Sequence, residues 1–97
     1  MLIIYKVRAK ENALQAFKDL VERTLVPEAL RTPGCKLFAF YQNTSDRCEF
    51  IFHELWGNEE DVHIYKKKLI TLLGKPHPGE EFPAAMNDMI ESDEDLV

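Results

Sequence analysis

Two stretches, KLFAFYQN (36–43) and CEFIFHELW (48–56), flank the polar Asn43-Thr44-Ser45-Asp46-Arg47, and neither has a clearly wet side. Period two divides the first into Leu37, Ala39, Tyr41 and Phe38, Phe40, Gln42. It divides the second into Cys48, Phe50, Phe52, Glu54, Trp56 and Glu49, Ile51, His53, Leu55. Two such runs across a short polar link predict an antiparallel hairpin. A sheet with one solvated face alternates apolar and polar residues more cleanly than this. The sheet is therefore expected to be covered on both faces. In a chain of 97 residues, the second cover is expected to be another copy, which predicts a homodimer.

The flanking segments complete the pattern. LIIYKVRA (2–9) reads as a first strand, part buried run and part alternation. Asn12 is placed to cap a helix in which Ala13, Leu14, Phe17, Leu20, Val21 and Leu25 recur at three and four residues, and Pro27 is expected to end or kink it near Leu25. Thr32-Pro33-Gly34 marks a turn. Gly57 stops the third strand, Asn58 with Asp61 resembles a helix cap, and Val62, Tyr65, Leu69 and Leu72 form one stripe of a second helix ending near Gly74. Residues 80–90 are expected to form a short helix before an acidic tail over about 91–97. Strands at 2–9, 36–43 and 48–56 with helices at 12–26 and 58–74 give the order strand, helix, strand, strand, helix. That is most of a ferredoxin-like split βαβ in the α+β class, with an antiparallel sheet and both helices on one face, expected as a single domain over 1–97.

Composition excludes several functions. No apolar run approaches the roughly 20 residues of a membrane span, and no signal-peptide pattern is present, so a cytoplasmic location is expected. Cys35 and Cys48 then read as reduced thiols. Glu91, Asp93, Glu94 and Asp95 account for four of the five net negative charges, and the nearly neutral remainder argues against nucleic acid as a partner. Lys66, Lys67 and Lys68 fan around a helix and read as a solvated face. His53, His63 and His77 show no paired spacing and have no adjacent cysteine, so no metal site is expected. No phosphate loop or nucleophile elbow occurs.

The candidates for chemistry cluster in the third strand. Trp56 shares a face with Phe50, Phe52 and Glu54, and this face suits a core as well as a pocket wall. A carboxylate among aromatic rings has its pKa raised unless it is paired, which makes Glu54 a candidate base or acid near neutrality; a partner such as Arg8 would make it structural. His53 lies on the opposite face with Ile51 and Leu55, and its resting pKa suits proton transfer, although an interface position would suit it equally.

PGC (33–35), the aromatic second strand, the polar hairpin and FIFHELWGNEEDVHIY (50–65) together resemble the antibiotic biosynthesis monooxygenase family of dimeric α+β barrels, over about residues 2–73. The resemblance implies two ferredoxin-like protomers packed sheet to sheet, each with a small-molecule pocket between its sheet and its helices. It implies chemistry without metal or flavin: a base deprotonates an electron-rich quinol or aromatic substrate, and the anion reduces dioxygen. A non-catalytic ligand-binding or interaction module and an isomerase of a small oxygenated metabolite are the alternatives. The family's usual histidine falls nine residues after the strand-end tryptophan, where this chain has Tyr65, with His63 two residues earlier. The catalytic candidates are thus His53, His63 and Glu54, and the substrate-binding candidates are Trp56, Tyr65 and Phe52. LIIYKVRA has no Asn and KKKLITLLGK has no His, which disfavours the family's haem-degrading branch. PAAMNDMIESDEDLV holds few strand-like residues, so the family's last strand is expected to be missing or reduced.

Overall fold

The computed structural model describes residues 1–97 and has the α+β architecture expected from the strand and helix order. Strand β1 (Leu2–Ala9) leads through a tight turn at Glu11–Ala13 into α1 (Leu14–Leu20), a wide helical turn at Val21–Leu25, and α2 (Val26–Leu30). The hairpin of β2 (Cys35–Gln42) and β3 (Glu49–Trp56) follows, then α3 (Glu59–Leu73), the short α4 (Ala84–Asn87) and β4 (Ile90–Asp95). The four strands are antiparallel in the order β2-β3-β1-β4, the ferredoxin-like arrangement.

Strand alternation fixes which side chains meet the helices. Pairing of Tyr5 with Phe52, Val7 with Phe50 and Phe40 with Phe52 aligns these residues on one face. Phe17 of α1 packs on Phe50 with ring centroids 5.3 Å apart, and Tyr65 of α3 meets Phe38 at 5.7 Å, so both helices cover that face. Phe17, Val21, Phe50 and Phe52 are fully buried there. The other face carries Leu2, Ile4, Leu37, Ala39, Tyr41, Ile51, His53 and Leu55, with Lys6, Arg8, Glu49 and Glu94 toward the β4 side. Leu2, Leu37, Leu55 and Tyr41 are exposed, Tyr41 to 56%.

Four sequence expectations are corrected. The first helix, expected over 12–26 with an end or a kink near Leu25, does not end there: its geometry changes over Val21–Leu25 and it runs on to Leu30. Proline lacks an N–H, and its ring collides with the carbonyl four residues back. One turn therefore widens ahead of it, with the Val26 N–H reaching the Val21 carbonyl, and Pro27 falls in the first turn of α2, where a missing donor is harmless. Asn12 lies within the tight turn, and no side chain caps α1. The acidic tail is in fact β4, and the helix expected over 80–90 shrinks to Ala84–Asn87. Backbone pairing of Lys6 with Glu94 and Arg8 with Ser92 holds β4 in place, and its charges are met by Lys6 on Glu94 at 3.4 Å and Arg8 on Glu91 at 2.9 Å. Composition alone does not disclose a strand whose partner supplies the counter-charge.

Helix α3 is capped at its start and packed against the turn before β2 and against α2. Asn58 accepts the Asp61 N–H at 3.1 Å, the expected cap. Gly34 has φ +91, and a Cβ there would lie 2.0 Å from Asp61 Oδ2, so only glycine lets the turn before β2 pass under the start of α3. Lys68, read from sequence as solvated, donates to Thr32 Oγ1 at 3.0 Å and pairs with Glu28, tying α3 to α2.

Candidate functional site

Near the Trp56 end of β3 the helices do not close on the sheet, and a cavity of about 110 Å³ remains. Ile3, Tyr5 and Glu54 form its floor, and Val62, Tyr65, Lys66 and Leu69 of α3 form one wall. Phe82, Pro83 and Met86 roof it, from α4 and the segment before it. Glu81 and Asp95, both exposed, complete the rim.

Glu54 is the chemical centre of this space. It is 5% exposed and has no basic side chain within ion-pair distance; Arg8 pairs instead with Asp46 and Glu91. Its Oε1 accepts the Trp56 indole N–H at 2.8 Å. Burial is the largest influence on the carboxyl and raises its pKa above the ordinary 4.5. The Trp56 donor, then the Tyr5 hydroxyl, then the Lys66 charge oppose that rise without cancelling it. A carboxylate that holds its proton more tightly than usual and faces a cavity is a candidate for proton transfer with a bound molecule.

The two tyrosines are fixed as proton donors. The Tyr65 hydroxyl donates to the Leu25 carbonyl at 3.2 Å across the helix layer, and burial followed by the Glu54 charge raises its pKa. Tyr5 is raised well above its ordinary value by the same two influences in the same order. Its ring stacks on Phe52 with centroids 4.9 Å apart and an interplanar angle of 2°, which sets the orientation of the hydroxyl. Behind the cavity, Trp56 is 1% exposed, with its ring centroid 5.3 Å from that of Tyr65. Cys35 is a free thiol whose pKa rises through burial and then the Glu54 charge, so it is not an activated nucleophile.

The candidates named from sequence thus divide. Glu54 and Tyr65 line the cavity, while Trp56 and Phe52 support its lining from behind. His53 and His63 are not brought to it. Period two turns His53 to the face away from the helices, beside Ile4 and Ala39, and His63, one position after the buried Val62, points to solvent with Glu59 3.7 Å away. His77 lies on the loop after α3, 2.8 Å from Asp88. Sequence reading missed Tyr5, Lys66, the roof and Asp95. Tyr5 carried a usable signal, because it shares strand parity with Ile3, the residue paired with Glu54. Asp95 carried none, since its position depends on β4.

Comparisons with known proteins agree with this architecture. The family model described as antibiotic biosynthesis monooxygenase matches residues 1–68. No curated protein sequence matches the chain significantly. Among solved structures, a protein titled putative antibiotic biosynthesis monooxygenase from Nitrosomonas europaea is 20% identical with a TM-score of 0.76, over 98% of this chain and 84% of its own. A Pseudomonas aeruginosa protein, PA3566, is 16% identical with a TM-score of 0.75, over 96% and 85%. A mutant of SnoaB, a cofactor-independent oxygenase from Streptomyces nogalater, is 12% identical with a TM-score of 0.73, over 97% and 85%. At these identities the likeness is one of fold.

Proposed function

We propose that this chain, which belongs to the antibiotic biosynthesis monooxygenase family, is a cofactor-independent oxygenase of a small, easily oxidised phenol or quinol. The observation that carries the reading is Glu54, a buried carboxylate without a basic partner that faces the cavity. In this scheme Glu54 takes the phenolic proton, and the anion gives one electron to dioxygen. Superoxide and the ring radical join at a ring carbon bearing hydrogen, and Glu54 returns the proton to the peroxide. Loss of water from the resulting H–C–O–OH leaves a carbonyl, so phenol and dioxygen become quinone and water. Tyr5, beside Glu54, stays protonated and orients a ring oxygen; Tyr65, whose proton is held by the Leu25 carbonyl, packs the wall, and the apolar part of the lining limits contact of the radical pair with water.

Oxygen uptake with a panel of hydroquinones and anthrones tests this. Glu54→Gln should lower kcat by roughly a hundredfold or more, the usual weight of a general base. His53→Ala and His63→Ala should leave it nearly unchanged; loss of uptake in either one, with Glu54→Gln active, would transfer the base role to histidine. The rival reading, a non-catalytic binding module of the same fold, is favoured by a cavity volume below the roughly 150 Å³ that holds one benzene ring. Failure of every substrate in the panel would favour it.

We also propose that the uncovered sheet face packs against a second copy, because Leu2, Leu37, Leu55 and Tyr41 form an exposed apolar strip there. Light scattering should give a dimer mass, and Leu37→Glu with Leu55→Glu should give a folded monomer. A monomer mass for the unaltered chain would refute the arrangement.

A further inference from the structure

The cavity separates its charges by depth. Glu54 lies at the floor, 5% exposed, whereas Glu81, Asp95 and Lys66 stand at the open rim. Three of these four groups are carboxylates, and neither Glu81 nor Asp95 is held in an ion pair, although Glu91 and Glu94 on the same edge are paired with Arg8 and Lys6. The acids are not a metal site, because no group of His, Cys, Asp and Glu side chains converges closely enough to hold an ion. A positive charge suited to them is therefore one carried on an organic molecule that spans the depth of the pocket. Tyr5 and Phe82, with ring centroids 6.1 Å apart and tilted by 40°, line the space between floor and rim. The volume of 110 Å³ is short of the roughly 150 Å³ that holds one ring, so an occupant whose hydroxyl reaches Glu54 projects part of its ring and its substituents through the open rim.

We infer that the occupant is a phenolic ring bearing a protonated amine on a short arm, with the ring hydroxyl at Glu54 and the ammonium between Glu81 and Asp95. This deepens the phenol reading and rests on it. Lys66, the rim's one cation, opposes the ammonium and repels no neutral phenol. An anionic arm would meet two carboxylates at the rim and a third beneath it.

Three near-isosteric probes read the preference directly: tyramine, para-ethylphenol and para-hydroxyphenylacetate. Trp56 is the only tryptophan, so its indole N–H, bonded to Glu54, gives a single NMR resonance that reports occupancy of the cavity. Tyramine should bind at least about threefold tighter than para-ethylphenol, and the acid more weakly than either, with differences that shrink as salt is added. Glu81→Gln with Asp95→Asn should remove the tyramine preference, and Lys66→Met should enlarge it. The Glu81 and Asp95 changes leave the proposed base and its partners untouched, whereas Lys66→Met also removes a charge that lowers the Glu54 pKa; all three positions are exposed, so loss of fold does not confound the result. Equal binding of all three probes, tighter binding of the acid, or a preference indifferent to the rim variants would overturn the charge assignment while leaving the phenol reading intact. If no probe moves the Trp56 resonance, the cavity reading and this inference fall together.

Discussion

The helix-covered face of the sheet is solid at one end and hollow at the other, and β3 supplies both ends. Around Phe50, the rings of Phe17 and Phe40 approach to 5.3 and 6.0 Å, and Phe50 and Phe17 are fully buried. Four residues along the same strand, Glu54 faces a cavity. The strand geometry is the same at both ends; the cover differs. Helix α1 lays Phe17 directly on the sheet. At the other end α3 is tethered by the Tyr65 hydroxyl to the Leu25 carbonyl, and the remaining gap is roofed only by the short α4 and the segment before it. A pocket here results from where helices begin and end rather than from any special strand.

The largest expected effect breaks or confirms that contrast directly. Phe17→Ala should cost about 3–5 kcal/mol in urea unfolding, as large truncations in a packed core do, a major share of the roughly 5–15 kcal/mol available to a domain. Phe82→Ala in the roof, where the ring is only half-buried, should cost less than half as much. Equal losses would mean that the roof is as integral as the core and the contrast is false. A smaller effect sharpens the account of how the hollow end stays open. Tyr65→Phe removes one buried hydroxyl donor and should cost about 1 kcal/mol, with a crystal structure showing α3 closer to the sheet. An unchanged α3 position would make the Tyr65 tether incidental.

The smallest effect is a slope. The folded chain holds the Glu54 proton more tightly than the unfolded chain does, because burial raises the pKa. Below the ordinary value of 4.5 both forms are protonated and Glu54 adds no pH dependence. As pH rises from there through the raised value, the unfolded chain loses its proton first and stability falls. Glu28 and Asp46 act in the opposite sense, since Arg31 and Arg8 hold their pKa values low and that stability is lost on acidification. Urea midpoints of the unaltered chain minus those of Glu54→Gln across this range isolate the Glu54 slope. A flat difference would mean that the carboxylate is solvated after all and would remove the basis for its role as a base.

Most of the fold was legible because its strands and helices are patterned by burial. The strands expected at 2–9, 36–43 and 48–56 lie within one residue of Leu2–Ala9, Cys35–Gln42 and Glu49–Trp56, and α3 with its Asn58 cap falls where the stripe of Val62, Tyr65 and Leu69 placed it, although Leu72, expected in the same stripe, is exposed. β4 was not legible, because all its side chains but Ile90 are exposed and its pairing rests on backbone bonds and on Lys6 and Arg8 of another strand. The site was legible only in part for a related reason. Glu54 stood out as a charge among aromatic rings, whereas histidines attract attention by chemistry alone and strand parity turned His53 away. The roof and rim depend on β4 and α4, the two elements that local pattern described least well.

That same last strand limits how the molecule meets its neighbours. β4 is an outer edge of the sheet, and four of its six residues are acidic. Another copy laid alongside through its own β4 would bring a second set of four carboxylates against this acidic edge, and like charges facing one another oppose such pairing. Growth into an endless ribbon through this edge is thereby opposed.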